Sequence, residues 1–456
     1  MRVRMAAGGS GGRPWARVAA RGFAFSCFFP YPALALGGNT GLQLSHALGL
    51  AAAPFLCARA PGRPLRALLL LLGPVALSAS FNLAVGDPPD PDIVPKESIA
   101  LALALVVLGP AEWVAGRDLF RETLTAAAAA IVAHALIGLY QVYSFAHDEF
   151  PLLFLYENPS FRSMEEWQQV YVRYIKRPCG LFPEASAMAA SLGPWLVLLA
   201  GLLLDPSAGR GFGWPGKKLA AAALALGSVL IALSRSGATL AIMAAVLVAG
   251  AAKVPSWSHS LTIGKGLTLA MVLAAAVAAV GYAASHLMGG LDARVESSWG
   301  VRALSIRTGL TANTDPVSLA FGVGPGQSTP IIRRELAWVP LPPDQAEEQV
   351  ELGAVFSLTV CYYMEMGLLG GLALLAVLAM AVRAIARSSA IVLGLCTLGT
   401  WLVGVAATTS YMPLSAIWLF LGALLSWDRL FPTRPPTPQQ SGRNEDRGHP
   451  YRDHLR

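Results

Sequence analysis

The chain has 456 residues, 55% of them hydrophobic and only 13% charged, with a formal net charge of +7. A soluble globular chain carries about 25% charged residues. Half that share, with apolar runs of 18 residues and more, excludes a soluble enzyme and points to a polytopic membrane protein. The positive charge is distributed between the apolar runs rather than gathered in one patch, which argues against nucleic acid as a partner.

Residues 1–21 are basic and Gly-rich and lead into an apolar stretch ending Ala33-Leu-Ala-Leu-Gly37. The pattern is that of a signal peptide, but eleven further apolar segments follow, so an uncleaved first helix is the better reading. Twelve spans are expected, at about 18–36, 42–58, 65–85, 98–115, 122–146, 186–204, 218–233, 236–252, 263–285, 366–386, 389–409 and 412–427. The fold class is therefore all-α integral membrane, with residues 1–431 as one membrane domain. As one helix, the run 218–252 would be about 52 Å long, against a hydrocarbon core of about 30 Å. It is expected to fold back at its polar interruption, Ser234-Arg235-Ser236, which places Arg235 in a tight turn at one face. Residues 432–456, rich in Pro, Gln and Arg, are expected to form a disordered tail.

Charge orients the spans. With the N-terminus in the cytoplasm, cytoplasmic segments hold 23 Lys and Arg and the opposite side holds 11, nine of these in two long loops. Those loops, about 147–185 and 286–365, are expected in the periplasm, with both termini cytoplasmic. The outer segments carry 19 Asp and Glu against their 11 Lys and Arg. An anion is therefore not drawn there by the general field and needs specific arginines, whose planar fork binds phosphate oxygens in pairs.

Several chemistry-bearing residues fall on this outer side. The first long loop ends in Arg173, Lys176 and Arg177-Pro-Cys-Gly180-Leu-Phe-Pro-Glu184-Ala-Ser186. Arg235 follows, then Arg294, Arg302 and Arg307, the turn Gly322-Val-Gly324-Pro-Gly326, and Glu365-Met-Gly367-Leu-Leu-Gly370. Glu184 is either a helix cap or an acid/base group, and Glu365 is either an interfacial carboxylate or a functional one. An ionisable residue isolated like Arg235 is more often functional. The glycine triplet follows no soluble strand, so it is not a dinucleotide fingerprint. Trp167, Tyr171, Tyr174, Trp299 and Trp338 suit either an interfacial belt or stacking on sugar rings. His46 and His134 lie within spans and are expected to be satisfied core residues, while His147 and His286 sit at the outer edge. Five cysteines without CxxC spacing or companion histidines exclude a zinc site or a disulfide framework.

These residues resemble the O-antigen ligase/polymerase family of bacterial envelope glycosyltransferases over about 174–418. Arg177-x-x-Gly-Leu-Phe-Pro-Glu-x-Ser186 is similar to the family's Arg-x-x-Gly-x-Phe segment. Leu233-Ser-Arg-Ser-Gly237 is similar to its Ser-x-Ser-Arg turn, Gly322–Gly326 to its Gly-x-Gly-Pro-Gly segment, and Glu365-x-Gly-Leu-Leu-Gly370 to its Glu-x-Gly-x-x-Gly helix start. Where ligases of the family carry a His-Asn pair, this chain has Val355-Phe-Ser-Leu-Thr359, which favours a polymerase.

The resemblance implies an inner-membrane polymerase that transfers glycan from a polyprenyl diphosphate carrier at the periplasmic face, without metal or cofactor. Arg177, Arg235, Arg294 and Arg302 would hold the diphosphate, and Glu184 or Glu365 would orient or deprotonate the acceptor, with Arg235 at the reacting centre. The partners implied are the lipid-linked oligosaccharide, membrane lipids and other polysaccharide-assembly proteins. The alternatives are a ligase acting on a lipid acceptor and a small-anion transporter.

Overall fold

A computed structural model describes residues 14–31, 33–37, 40–57, 62–86, 88–156, 158, 176–204, 216–234, 305–336, 355, 357–407 and 413–433. The described segments are mostly helical, with one short hairpin and connecting turns. Six helices are long and apolar enough to cross a membrane: Arg63–Ala84, Ile93–Val114, Leu119–Phe145, Ala185–Leu203, Lys217–Ser234 and Leu358–Ala386. The apolar helices Ile391–Ala406 and Ser415–Leu425 are shorter. The spans expected at 236–252 and 263–285, and the turn at Arg235, lie outside the described residues.

The first expected span takes a different form. Helix α1 (Pro14–Ser26) stops after 13 residues. Strand β1 (Ala33–Gly37) then pairs antiparallel with β2 (Thr40–Gln43), Leu34 opposite Leu42. Pro30 and Pro32 explain the change, because proline supplies no N–H and clashes with the preceding helical turn. At 1.5 Å per residue α1 is about 20 Å long, short of the hydrocarbon core. Helix α2 (Leu44–Cys57) follows the hairpin directly.

Helix α3 (Arg63–Ala84) opens with Pro64 in its first turn, where the missing N–H costs nothing. The next span is broken into α4 (Ile93–Val106) and α5 (Leu108–Val114). Pro110 cannot donate to the Val106 carbonyl, which accounts for the interruption there. Helix α6 (Arg117–Phe145) is followed by α7 (Ala185–Leu204) and α8 (Lys217–Ser234). Residues 305–311 are helical, and short α9 (Pro316–Phe321) begins at an Asp315 capping box. Helix α10 (Ser328–Leu336) precedes α11 (Leu358–Ala386), α12 (Ile391–Ala407), α13 (Ser415–Leu425) and α14 (Trp427–Leu430).

Helix α7 is the centre of the bundle. Its most apolar stretch is 94% buried, against 33–39% for α3, α8 and α11. Those three turn Leu69, Leu77, Leu233, Leu372 and Leu375 outward, as helices facing lipid do. Small residues permit the close packing around α7. A Cβ at Gly227 of α8 would fall against Ile131 and Leu196, and one at Gly404 of α12 would crowd Ala190.

Contacts between helix ends fall into two sets. At one end Arg63 pairs with Asp428 at 2.5 Å and Arg429 with Glu112 at 3.5 Å, and the Trp427 indole donates to the Ala390 carbonyl at 3.1 Å. At the other end Gln43 donates to the Pro413 carbonyl at 2.9 Å, and Ser45 and Ser415 share a hydrogen bond of 2.7 Å. Lys176 pairs with Asp148 there at 2.9 Å. Each pair joins segments whose charge pattern assigns them to the same side.

Candidate functional site

The segment that leads into α7 is seated on α6. Gln141 accepts from the Cys179 and Gly180 amides at 2.9 and 3.0 Å and donates back to the Gly180 carbonyl at 3.0 Å. The Tyr156 hydroxyl donates to the same carbonyl. Two turns earlier on α6, His134 Nδ1 accepts from the Leu181 amide at 3.0 Å, while Nε2 lies 2.9 Å from the Phe28 carbonyl. An accepting Nδ1 leaves the proton on Nε2, which therefore donates to Phe28. Gly180 adopts φ +57°, and a Cβ there would press on the His134 ring. Only glycine fits so tight a left-handed turn.

This seat fixes both ends of the Arg177–Ser186 motif. Arg177 is exposed. Glu184 is half-buried at the head of α7, its carbonyl accepting from the Met188 amide at 3.1 Å and its carboxyl accepting from the Ser186 hydroxyl. That is the position of a helix cap, one of the two roles the sequence leaves open for it.

The glycine turn and the Glu365 motif, some forty residues apart in sequence, are interlocked. Helix α11 breaks at Gly367 (φ 64°, ψ −159°). A break there removes the i+4 donors of the carbonyls just before it. The turn supplies replacements. Val323 N–H donates to the Met364 carbonyl at 3.0 Å, and Gly324 N–H donates to the Glu365 carbonyl at 3.2 Å. The Ser78 hydroxyl of α3 donates to the Glu365 carbonyl as well, at 2.7 Å. Gly322, Gly324 and Gly326 all have positive φ. A Cβ at Gly322 would collide with the Glu365 backbone, and one at Gly367 with the backbone of Ala320 and Gly322.

Further bonds fasten the turn to α3 and α4. Asn82 donates to the Gly322 carbonyl at 3.3 Å. Phe81 and Phe321 stack with ring centroids 4.7 Å apart. The Gln327 amide exchanges two hydrogen bonds with the Asp90 backbone, at 2.9 and 2.6 Å. Beneath the turn the Glu365 carboxyl is enclosed, with the residue only 5% exposed. It accepts from the Ser328 hydroxyl at 2.6 Å, with the Gly326 and Ser328 amides beside it. Cys361 packs against Ser328 at 3.6 Å, and the charged neighbour is a second carboxylate, Glu97.

Arg235, Arg294 and Arg302 lie outside the described residues. Arg307 is exposed on the 305–311 helix, and His147 is exposed with Nδ1 2.9 Å from the Tyr143 carbonyl. His134 is satisfied, as expected. His46 is buried, yet neither of its ring nitrogens has a partner among the described residues. Cys179 and Cys361 are both buried and not joined in a disulfide. Ser78, Asn82, His134, Gln141, Glu97 and Gln327 do not stand out in the sequence motifs. A signal was present in part, since Ser78 and Asn82 are four residues apart and His134 and Gln141 seven apart. Each pair is a polar face on an apolar helix. Comparison of the chain with models of protein families and with curated proteins finds no match.

Proposed function

We propose that the chain is a glycan polymerase of the bacterial inner membrane that extends a polysaccharide from a polyprenyl diphosphate-linked donor at the periplasmic face. The observation that carries this reading is the interlock of the Gly322–Gly326 turn with Glu365–Gly367. Two of the motifs that resemble the O-antigen ligase/polymerase family form one cluster, at the end of the bundle that also holds Arg177 and Glu184. In this reading twelve segments cross the membrane, the first as α1 with the extended chain that follows it rather than as one helix, both termini are cytoplasmic, and the long loops are periplasmic.

The chemistry suits arginines. The leaving group of glycan transfer is a diphosphate, already anionic and weakly basic, so it needs fixed positive charge rather than a proton. Arg177, Arg235, Arg294 and Arg302 supply that charge without a metal. The attacking sugar hydroxyl needs orientation and a carboxylate to take its proton, for which Glu184 and Glu365 are the candidates. Arg177→Ala or Arg235→Ala, at maintained protein levels, abolishes the long-chain polysaccharide ladder and leaves single repeat units. A normal ladder in both variants overturns the site. Long chains retained on the carrier lipid would identify a ligase instead.

One observation favours a second reading. A helix broken beside a buried carboxylate, as α11 is at Gly367 and Glu365, is a feature of secondary transporters. Uptake of a small anion into proteoliposomes without lipid-linked sugar would establish it.

A further inference from the structure

The bonds around Glu365 differ from those expected of a group that meets substrate. Its carboxyl accepts from the Ser328 hydroxyl at 2.6 Å, with the Gly326 and Ser328 amides beside it. Ser328 is the first residue of α10. The first N–H groups of a helix have no partner within it and favour an anionic acceptor. Glu365 therefore ties the first residue of α10 to α11, and the carboxyl oxygen that accepts from Ser328 is taken up by the segment it holds.

What this tie holds is specific. Helix α10 turns Ile332 into the core and ends in the exposed pair Arg333-Arg334. The residues before it are clamped by Gln327 on Asp90 and by the glycine turn on the break in α11. The segment between the turn and the arginine pair is thus fastened at three points, two of them on α11. Of these three fastenings, the Glu365 carboxyl is the one made by an ionisable side chain.

We infer that Glu365 is a positioning residue rather than the base. With Ser328 it latches α10 to α11, and so sets the Arg333-Arg334 pair at the end of the bundle that carries Arg177. The acceptor's proton then goes to another carboxylate. This rests on the polymerase reading for its consequence, but the latch itself does not.

Cys361 is a built-in reporter, because it is buried against Ser328. Opening the latch exposes it. Labelling of Cys361 by a membrane-impermeant maleimide, followed by peptide mapping, therefore reads the latch with no glycan present. Glu365→Ala and Ser328→Ala speed this labelling about tenfold, as loss of a buried hydrogen bond does. Glu365→Gln keeps an acceptor oxygen and keeps Cys361 protected. In a chain-growth assay on lipid-linked oligosaccharide, the acid limb of the pH profile stays in place in Glu365→Gln. Equal labelling in the wild type, Glu365→Ala and Ser328→Ala overturns the latch. Loss of the acid limb in Glu365→Gln, with Cys361 still protected, makes Glu365 the base and overturns the inference. Absence of chain growth in the wild type removes the polymerase reading while leaving the labelling result decisive for the latch.

Discussion

At the scale of single residues, two glycines make the interlock possible. Gly322 and Gly367 approach each other's backbones so closely that neither position has room for a Cβ, and both require positive φ. Gly367→Ala or Gly322→Ala is expected to cost about 2 kcal/mol or more, the sum of overpacking and left-handed strain. Gly371 lies on the same helix, with negative φ and only ordinary contact to Tyr363. Gly371→Ala is therefore expected to be neutral or mildly stabilising, by up to about 1 kcal/mol. Thermal unfolding in detergent separates the two cases, and equal shifts at Gly367 and Gly371 would contradict the interlock. The sequence marks these glycines as a motif. It does not reveal that Gly322 and Gly367 touch, because nothing local in either segment encodes a contact forty residues away.

At the scale of elements, the entry to α7 depends on α6. One side chain, Gln141, satisfies two amides and one carbonyl of the Cys179-Gly180 turn. Gln141→Leu preserves the size of the side chain and removes every one of these partners. Each buried backbone group left unsatisfied costs about 1–3 kcal/mol, so the segment should detach locally before the bundle unfolds. Tryptic cleavage at Lys176 should accelerate while cleavage elsewhere stays constant. Unchanged cleavage would mean that the segment holds without Gln141. The helices at 186–204 and 218–233 were legible from hydropathy to within a residue or two, since a span must satisfy its backbone internally and be apolar throughout. The first span was not, because hydropathy weighs Ala33-Leu-Ala-Leu-Gly37 as membrane helix while the flanking prolines turn it into a strand.

At the scale of the whole molecule, the two sets of end contacts agree with the alternation drawn from charge. Arg63, Glu112, Asp428 and Arg429 meet at one end, and Asp148, Lys176 and the glycine turn lie at the other. The contacts themselves are symmetric with respect to in and out, so the orientation rests on the positive-inside bias. Glu149 and Arg387 are exposed at opposite ends. A membrane-impermeant maleimide should label Glu149→Cys in cells with an intact inner membrane and Arg387→Cys only after permeabilisation. The reverse pattern would invert the topology and move the proposed site to the cytoplasm.

The amino-acid sequence by itself determined that this is a helical chain with membrane-crossing elements, because the cost of exposing backbone and charge to hydrocarbon is paid residue by residue. It also picked out the glycine turn, Glu184 and Glu365 as positions of interest. Tertiary structure alone decided what those positions do locally. Glu184 lies half-buried at the head of α7, Glu365 is enclosed beneath the turn, and Ser78, Asn82, His134 and Gln141 emerge as the groups that seat the motifs. The reason is that hydropathy reports the environment of a segment averaged over its length. Hydrogen bonds between distant segments depend instead on which helix faces meet, and that is set only when the bundle packs.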